Sequence, residues 1–154
     1  MKRNISWAAI SSMAAIVALI ISLIFNVISV RQTTHATQLQ IITEAHQMVN
    51  NSAHSFDAKY GDELKLYLDD GKMLLSEEAI SDLTQTLNDF EYMAWLFNKG
   101  YVKDVGGEEL WLKGLIVGID YYFQAFKKAK GDEALAYIET WYPECQQLLK
   151  TTQR

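Results

Sequence analysis

From Ile5 to Val30 the chain runs 26 residues without an ionisable side chain, between Lys2-Arg3 on one side and Arg31 on the other. At about 1.5 Å per residue a helix of that length reaches about 39 Å, more than the roughly 30 Å of a bilayer's hydrocarbon core. Lipid offers the backbone no hydrogen-bond partners, so a single crossing segment has to be helical. Trp7 sits where an interfacial aromatic belongs. A secretory signal peptide also opens on positive charge, but its apolar run is usually about 7–15 residues. Thr34-His35-Ala36 is a poor imitation of a small-x-small cleavage site. The expectation is an uncleaved transmembrane helix over 5–30 behind a basic leader, residues 1–4.

With Lys2 and Arg3 set aside, 12 of the 14 Lys+Arg and all 19 Asp+Glu fall between Arg31 and Arg154, for a formal charge of −7. This acidic segment is long enough for one domain with a real core. It lacks the clustered positive surface that general nucleic-acid binding needs. Cys145 is the one cysteine, which excludes an internal disulfide and a four-thiolate metal site, and its plain reading is a small buried side chain. One proline among many Leu, Ala, Glu, Lys and Gln favours an all-α fold. We expect a transmembrane helix continuing into a juxtamembrane helix over 31–56, then an acidic bundle of four or five helices over 57–154.

Within the span, Ser11, Ala15, Ala18, Ser22, Asn26 and Ser29 recur at spacings of three and four. Small residues let helices approach closely in lipid, and Ser and Asn can bond across them, so this stripe is the candidate for self-association of spans. Beyond the span no Gly or Pro intervenes before Phe56, and Leu39, Ile42, His46, Val49, Ala53 and Phe56 continue a three-and-four repeat. The seam is either an oligomer neck or a stripe laid against the domain; its short length favours the domain. Tyr60-Gly61-Asp62 reads as a stop and a new cap before a short helix, Glu63–Asp70. Ser76 caps a helix that Gly100 ends, and a strongly apolar helix runs from about Glu108 to Lys130, with Gly114 and Gly118 forming a flat groove for a close neighbour. Lys113 and Asp120 within that helix argue against a second crossing. Gly131 ends that helix and Asp132 caps the last one, whose buried side is Leu135, Ile138, Trp141 and Tyr142, and Pro143 kinks or restarts it.

The chemistry is sparse. Histidines stand only at 35, 46 and 54, without the i,i+4 spacing and further ligands of a metal site. No nucleophile has a base beside it and no glycine loop cradles a phosphate, so neither an enzyme, a metal nor a cofactor is expected. Asn88 and Glu91 beside one apolar face, and Asp120 among aromatics, stand out. They read as a helix-packing hydrogen-bond network or, more sharply, as a small ligand-binding pocket with Tyr121 or Tyr122. Lys127, Lys128 and Lys130 form a basic cluster, read as favourable charge at a helix C-terminus or as a seat for a small anionic ligand or lipid headgroup.

The run Leu87-Asn88-Asp89-Phe90-Glu91-Tyr92-Met93-Ala94, then Gly100 and Trp111, together with the Arg31-Gln32-Thr33-Thr34 exit, resembles a family of small bacterial single-span membrane proteins with a helical C-terminal domain. That family has no agreed activity; the resemblance implies topology and a cytosolic domain. The flank charges pull the other way, since Lys2 and Arg3 would keep the short tail inside; the resemblance is given the greater weight. The resulting expectation is a single-pass protein of the bacterial inner membrane, homo-oligomeric through its span, whose domain binds a protein partner or ligand. The alternative is an oligomeric membrane effector, of stress or antiviral defence, that perturbs the bilayer on a signal.

Overall fold

The computed structural model describes residues 7–70, 75–102 and 108–152, without the side chains of 7–15, 70, 108 and 152. Among the described residues the fold is all-α: α1 (Trp7–Asp70), α2 (Glu77–Asn98), α3 (Glu108–Lys130), α4 (Glu133–Trp141) and α5 (Pro143–Thr152). The chain divides into two compact units, Met1–Gln38 and Leu39–Arg154.

In the first unit, α1 is long and apolar enough to cross a membrane, and none of its most apolar stretch is buried. Every large apolar residue between Ile16 and Val30 is 47–68 % exposed. The threonines that follow do not break the helix, because Thr33 and Thr34 turn their hydroxyls back onto the carbonyls of Ser29 and Val30 at 2.9 and 2.8 Å.

In the second unit α1 changes character. Ile42, Ala45, Val49, Phe56, Tyr60, Leu64 and Tyr67 are buried while most residues between them face solvent. The seam therefore lies on the domain core, joining Leu83, Leu87 and Phe90 of α2 and Ile119, Phe123 and Phe126 of α3. Burying each such side chain contributes about 1.5–3 kcal/mol. The expected stop at Tyr60-Gly61-Asp62 does not occur, and α1 runs through to Asp70. A single glycine costs a helix only about 1 kcal/mol, less than is gained by keeping Phe56, Tyr60, Leu64 and Tyr67 on one buried stripe.

The other helix ends follow local chemistry more closely. Ser76 accepts from the Ala79 amide at 3.1 Å, with Glu77 and Glu78 in the first turn of α2. At its far end Gly100 takes φ 75°, the Gly100 amide bonds Phe97 O and the Tyr101 amide bonds Leu96 O, the pairing that closes a helix on a left-handed glycine. Asp132 departs from expectation: it is already helical and makes no side-chain cap. The buried side of α4 also differs, since Ala134, Ile138 and Tyr142 are inside while Leu135 and Trp141 are 57 % and 62 % exposed. A stripe at intervals of four centres on Ile138 and leaves those two on its flanks, three residues to either side and about 60° round the helix.

Pro143 starts α5 rather than kinking α4. It has no N–H to leave unpaired. The next two amides, of Glu144 and Cys145, are both taken by the carboxylate of Glu91 on α2, each at 2.8 Å. Asn98 completes the tie, donating to the carbonyl and carboxylate of Glu144 at 2.9 and 2.7 Å.

Candidate functional site

One face of α3 carries Trp111, Gly114, Gly118 and Tyr121 at spacings of three, four and three, so they fall in one row. Opposite them α1 sets His46, Asn50, Ala53 and Asp57 in a row of its own, and Phe90 and Met93 of α2 form the floor. Between these elements lies a groove of about 380 Å³.

Its two glycines differ. A Cβ on Gly118 would come within 2.5 Å of the Phe90 ring, so bareness there lets α2 and α3 close up. A Cβ on Gly114 would meet nothing within 4 Å. The groove expected at this pair is therefore filled at one glycine and open at the other.

The walls are aromatic. His46 stacks on Trp111 with centroids 4.8 Å apart and planes 22° from parallel. Asn50 approaches the His46 ring nitrogen at 3.3 Å and steadies it. Tyr122 packs edge-on to Phe56 and Phe90, and its hydroxyl donates to Asp57 at 3.0 Å. Burial, and then the Asp57 charge, push the Tyr122 phenol above its ordinary range; burial followed by Asp57 and Asp69 does the same to Tyr121. Among the groove's lining residues Asp57 is the one carboxylate, set beside apolar walls.

Of the candidate site residues singled out from the sequence, Tyr121, Tyr122, Gly114 and Gly118 line the groove and the others sit elsewhere. Glu91 is engaged with the start of α5, Asn88 is exposed, and the exposed Asp120 accepts from Gln124 at 2.8 Å. The three meet on no common partner. Lys128 donates to the carbonyls of Tyr67 and Leu68 in the last turn of α1 and lies over the Tyr67 ring, while Lys127 and Lys130 are exposed. Ala18, Ser22, Asn26 and Ser29 are exposed on α1; the side chains of Ser11 and Ala15 lie outside the described residues.

Cys145 is fully buried, and burial together with the Glu91 carboxylate pushes its thiol far up, so it stays protonated. His35 and His54 are exposed. Among the described residues no group of three His, Cys, Asp or Glu is placed to hold a metal ion.

Sequence reasoning missed His46, Asn50 and Asp57 as groove residues. Their signal was present as polar positions at intervals of four and seven beside the buried stripe of α1, but which helix they face is decided by tertiary packing. No family model, no curated protein and no solved structure matches the chain.

Proposed function

We propose that this chain is a membrane-anchored binding module acting through association rather than catalysis. Its first unit sits in a bilayer and pairs with the span of another copy, and its acidic helical domain takes a partner or ligand in the groove between α1 and α3. The observation that carries this reading is that the apolar helix surface from Ile16 to Val30 is exposed, with none of it buried, a surface that water disfavours and lipid accepts. The resemblance to bacterial single-span proteins supports the inner membrane, with the domain in the cytosol.

Carbonate-washed membranes and size determination in mild detergent test it. The full chain should stay in the pellet and run as an assembly, and Asn26→Leu should shift that assembly toward monomer, since an interhelical polar bond contributes about 0.6–2 kcal/mol. A chain released by carbonate, or a monomer in every mild detergent, overturns it.

The second reading is an oligomeric effector, favoured by the polar Ser22, Asn26 and Ser29 on the exposed surface of the span. It predicts that overexpression depolarises cells and that Asn26→Leu abolishes the effect.

A further inference from the structure

We infer that the groove between α1 and α3 is a receptor site for a small organic cation, a free ammonium compound carrying alkyl or aryl groups. This rests on the binding-module reading and names its ligand class.

Size comes first. A volume of about 380 Å³ falls at the small end of the range for small-molecule sites, about 300–1,000 Å³. Gly114 supplies the clearest sign that the space is kept for something. Glycine is the poorest helix former after proline, yet at Gly114 neither a left-handed backbone nor a close neighbour calls for it. Gly118, one turn on, has Phe90 to explain it. What remains for Gly114 is a role in keeping the mouth of the groove clear.

Charge and wall chemistry then select the occupant. None of the lining residues is Lys or Arg. The nearest lysine along α3, Lys113, is exposed and bound to Glu109 at 2.8 Å. The titratable groups facing the groove are His46 and Asp57 from α1 and Tyr121 and Tyr122 from α3; α2 contributes only Phe90 and Met93. An anion would meet Asp57 with no cation to balance it. A metal ion would find one carboxylate where it needs several oxygen ligands. A cation whose charge is spread beneath methyl or aryl groups meets both demands, because ring faces attract it within about 6 Å and the apolar wall accepts its surface. Trp111 is the ring type that attracts a cation most strongly; His46 covers one of its faces, which leaves the other for the ligand.

The test uses the full chain in an uncharged detergent, titrated by calorimetry with benzyltrimethylammonium, with benzyl alcohol as a neutral aromatic and with benzenesulfonate as an anion. The cation should bind saturably and raise the melting temperature, and the other two should not. Trp111→Leu and Asp57→Asn should each weaken binding about 3- to 30-fold; the amide oxygen that Asp57→Asn introduces would still accept from the Tyr122 hydroxyl, so the fold is retained. Gly114→Leu should abolish binding while the unliganded melting temperature holds or rises. Absence of cation binding overturns the inference, as does equal binding of benzyl alcohol, or cation binding that survives Gly114→Leu. Membrane retention of the same preparation is scored separately: a retained chain that ignores the cation refutes the ligand class alone, whereas a released chain refutes the anchor.

Discussion

The two stretches of α1 share a backbone and differ in everything else. Between Ile16 and Val30 apolar side chains point all round the helix and all are exposed, whereas between Ile42 and Tyr67 the buried ones keep to a single stripe with Glu44, Asn50, Ser55 and Asp62 outside it. Helix formation satisfies the backbone equally in both. The distribution of apolar residues around the axis therefore sets which solvent each stretch fits: lipid on every side for the first, protein on one side and water on the other for the second.

The largest effect that probes this contrast is on the buried stripe. Leu64 is fully buried, so Leu64→Ala should cost the domain about 2–5 kcal/mol in denaturant unfolding followed by near-UV circular dichroism. Leu23→Ala, the same chemical change at a residue 56 % exposed, should leave that transition where it was. Equal losses from the two would erase the distinction.

A charge in the first stretch reverses the pattern. Ile20→Arg should cost about 3–4 kcal/mol of membrane insertion and lower the fraction retained after carbonate washing, with the domain's unfolding unchanged. A domain that unfolds along with it would mean the two units share stability.

Which parts of this were legible in the sequence follows from the range of the forces involved. Ser76, Gly100 and Gly131 act on amides and carbonyls within their own turns, and each ends or starts a helix as its local chemistry requires. Gly61 failed as a stop because its small local cost competes with a stripe that extends a turn or more to either side. Asp132 failed as a cap because the backbone at that residue is already helical. Glu91 was visible as a carboxylate out of place, but its partners lie more than fifty residues away on α5. The groove was half visible: Gly114 and Gly118 gave the row on α3, while nothing local indicates that His46 and Asp57 would face it.

Glu91 also sharpens the contrast in polar terms. The domain relies on side-chain ties between helices, and Ile16–Val30 has no ionisable group to make one. Glu91→Ala leaves the Glu144 and Cys145 amides at the start of α5 without their partner, at a cost of about 1–3 kcal/mol. Glu91→Gln, which keeps one acceptor, should lose less. Thermal unfolding of both variants checks the order, and an unaffected Glu91→Ala would mean water replaces the carboxylate.

The mildest probe is pH. The first stretch has nothing to titrate, while the domain buries Tyr122, Tyr142 and Cys145, each held above its ordinary value by burial first of all. These groups become charged by losing a proton. In the unfolded chain they release it near their ordinary values, 9.0 for the thiol and 10.0 for the phenols, whereas the folded domain keeps it. Above that point the folded state binds more protons, so stability falls as pH rises, by about 1.4 kcal/mol per pH unit for each group that titrates in the unfolded chain alone. Below about pH 8 the effect is absent. Unfolding midpoints taken between about pH 8 and about pH 11 should therefore decline for the domain, and Tyr142→Phe should flatten the decline by one group's share. The α1 stretch in lipid should keep its helical signal across the same interval, because between Ile16 and Val30 it carries no group that gains or loses a proton.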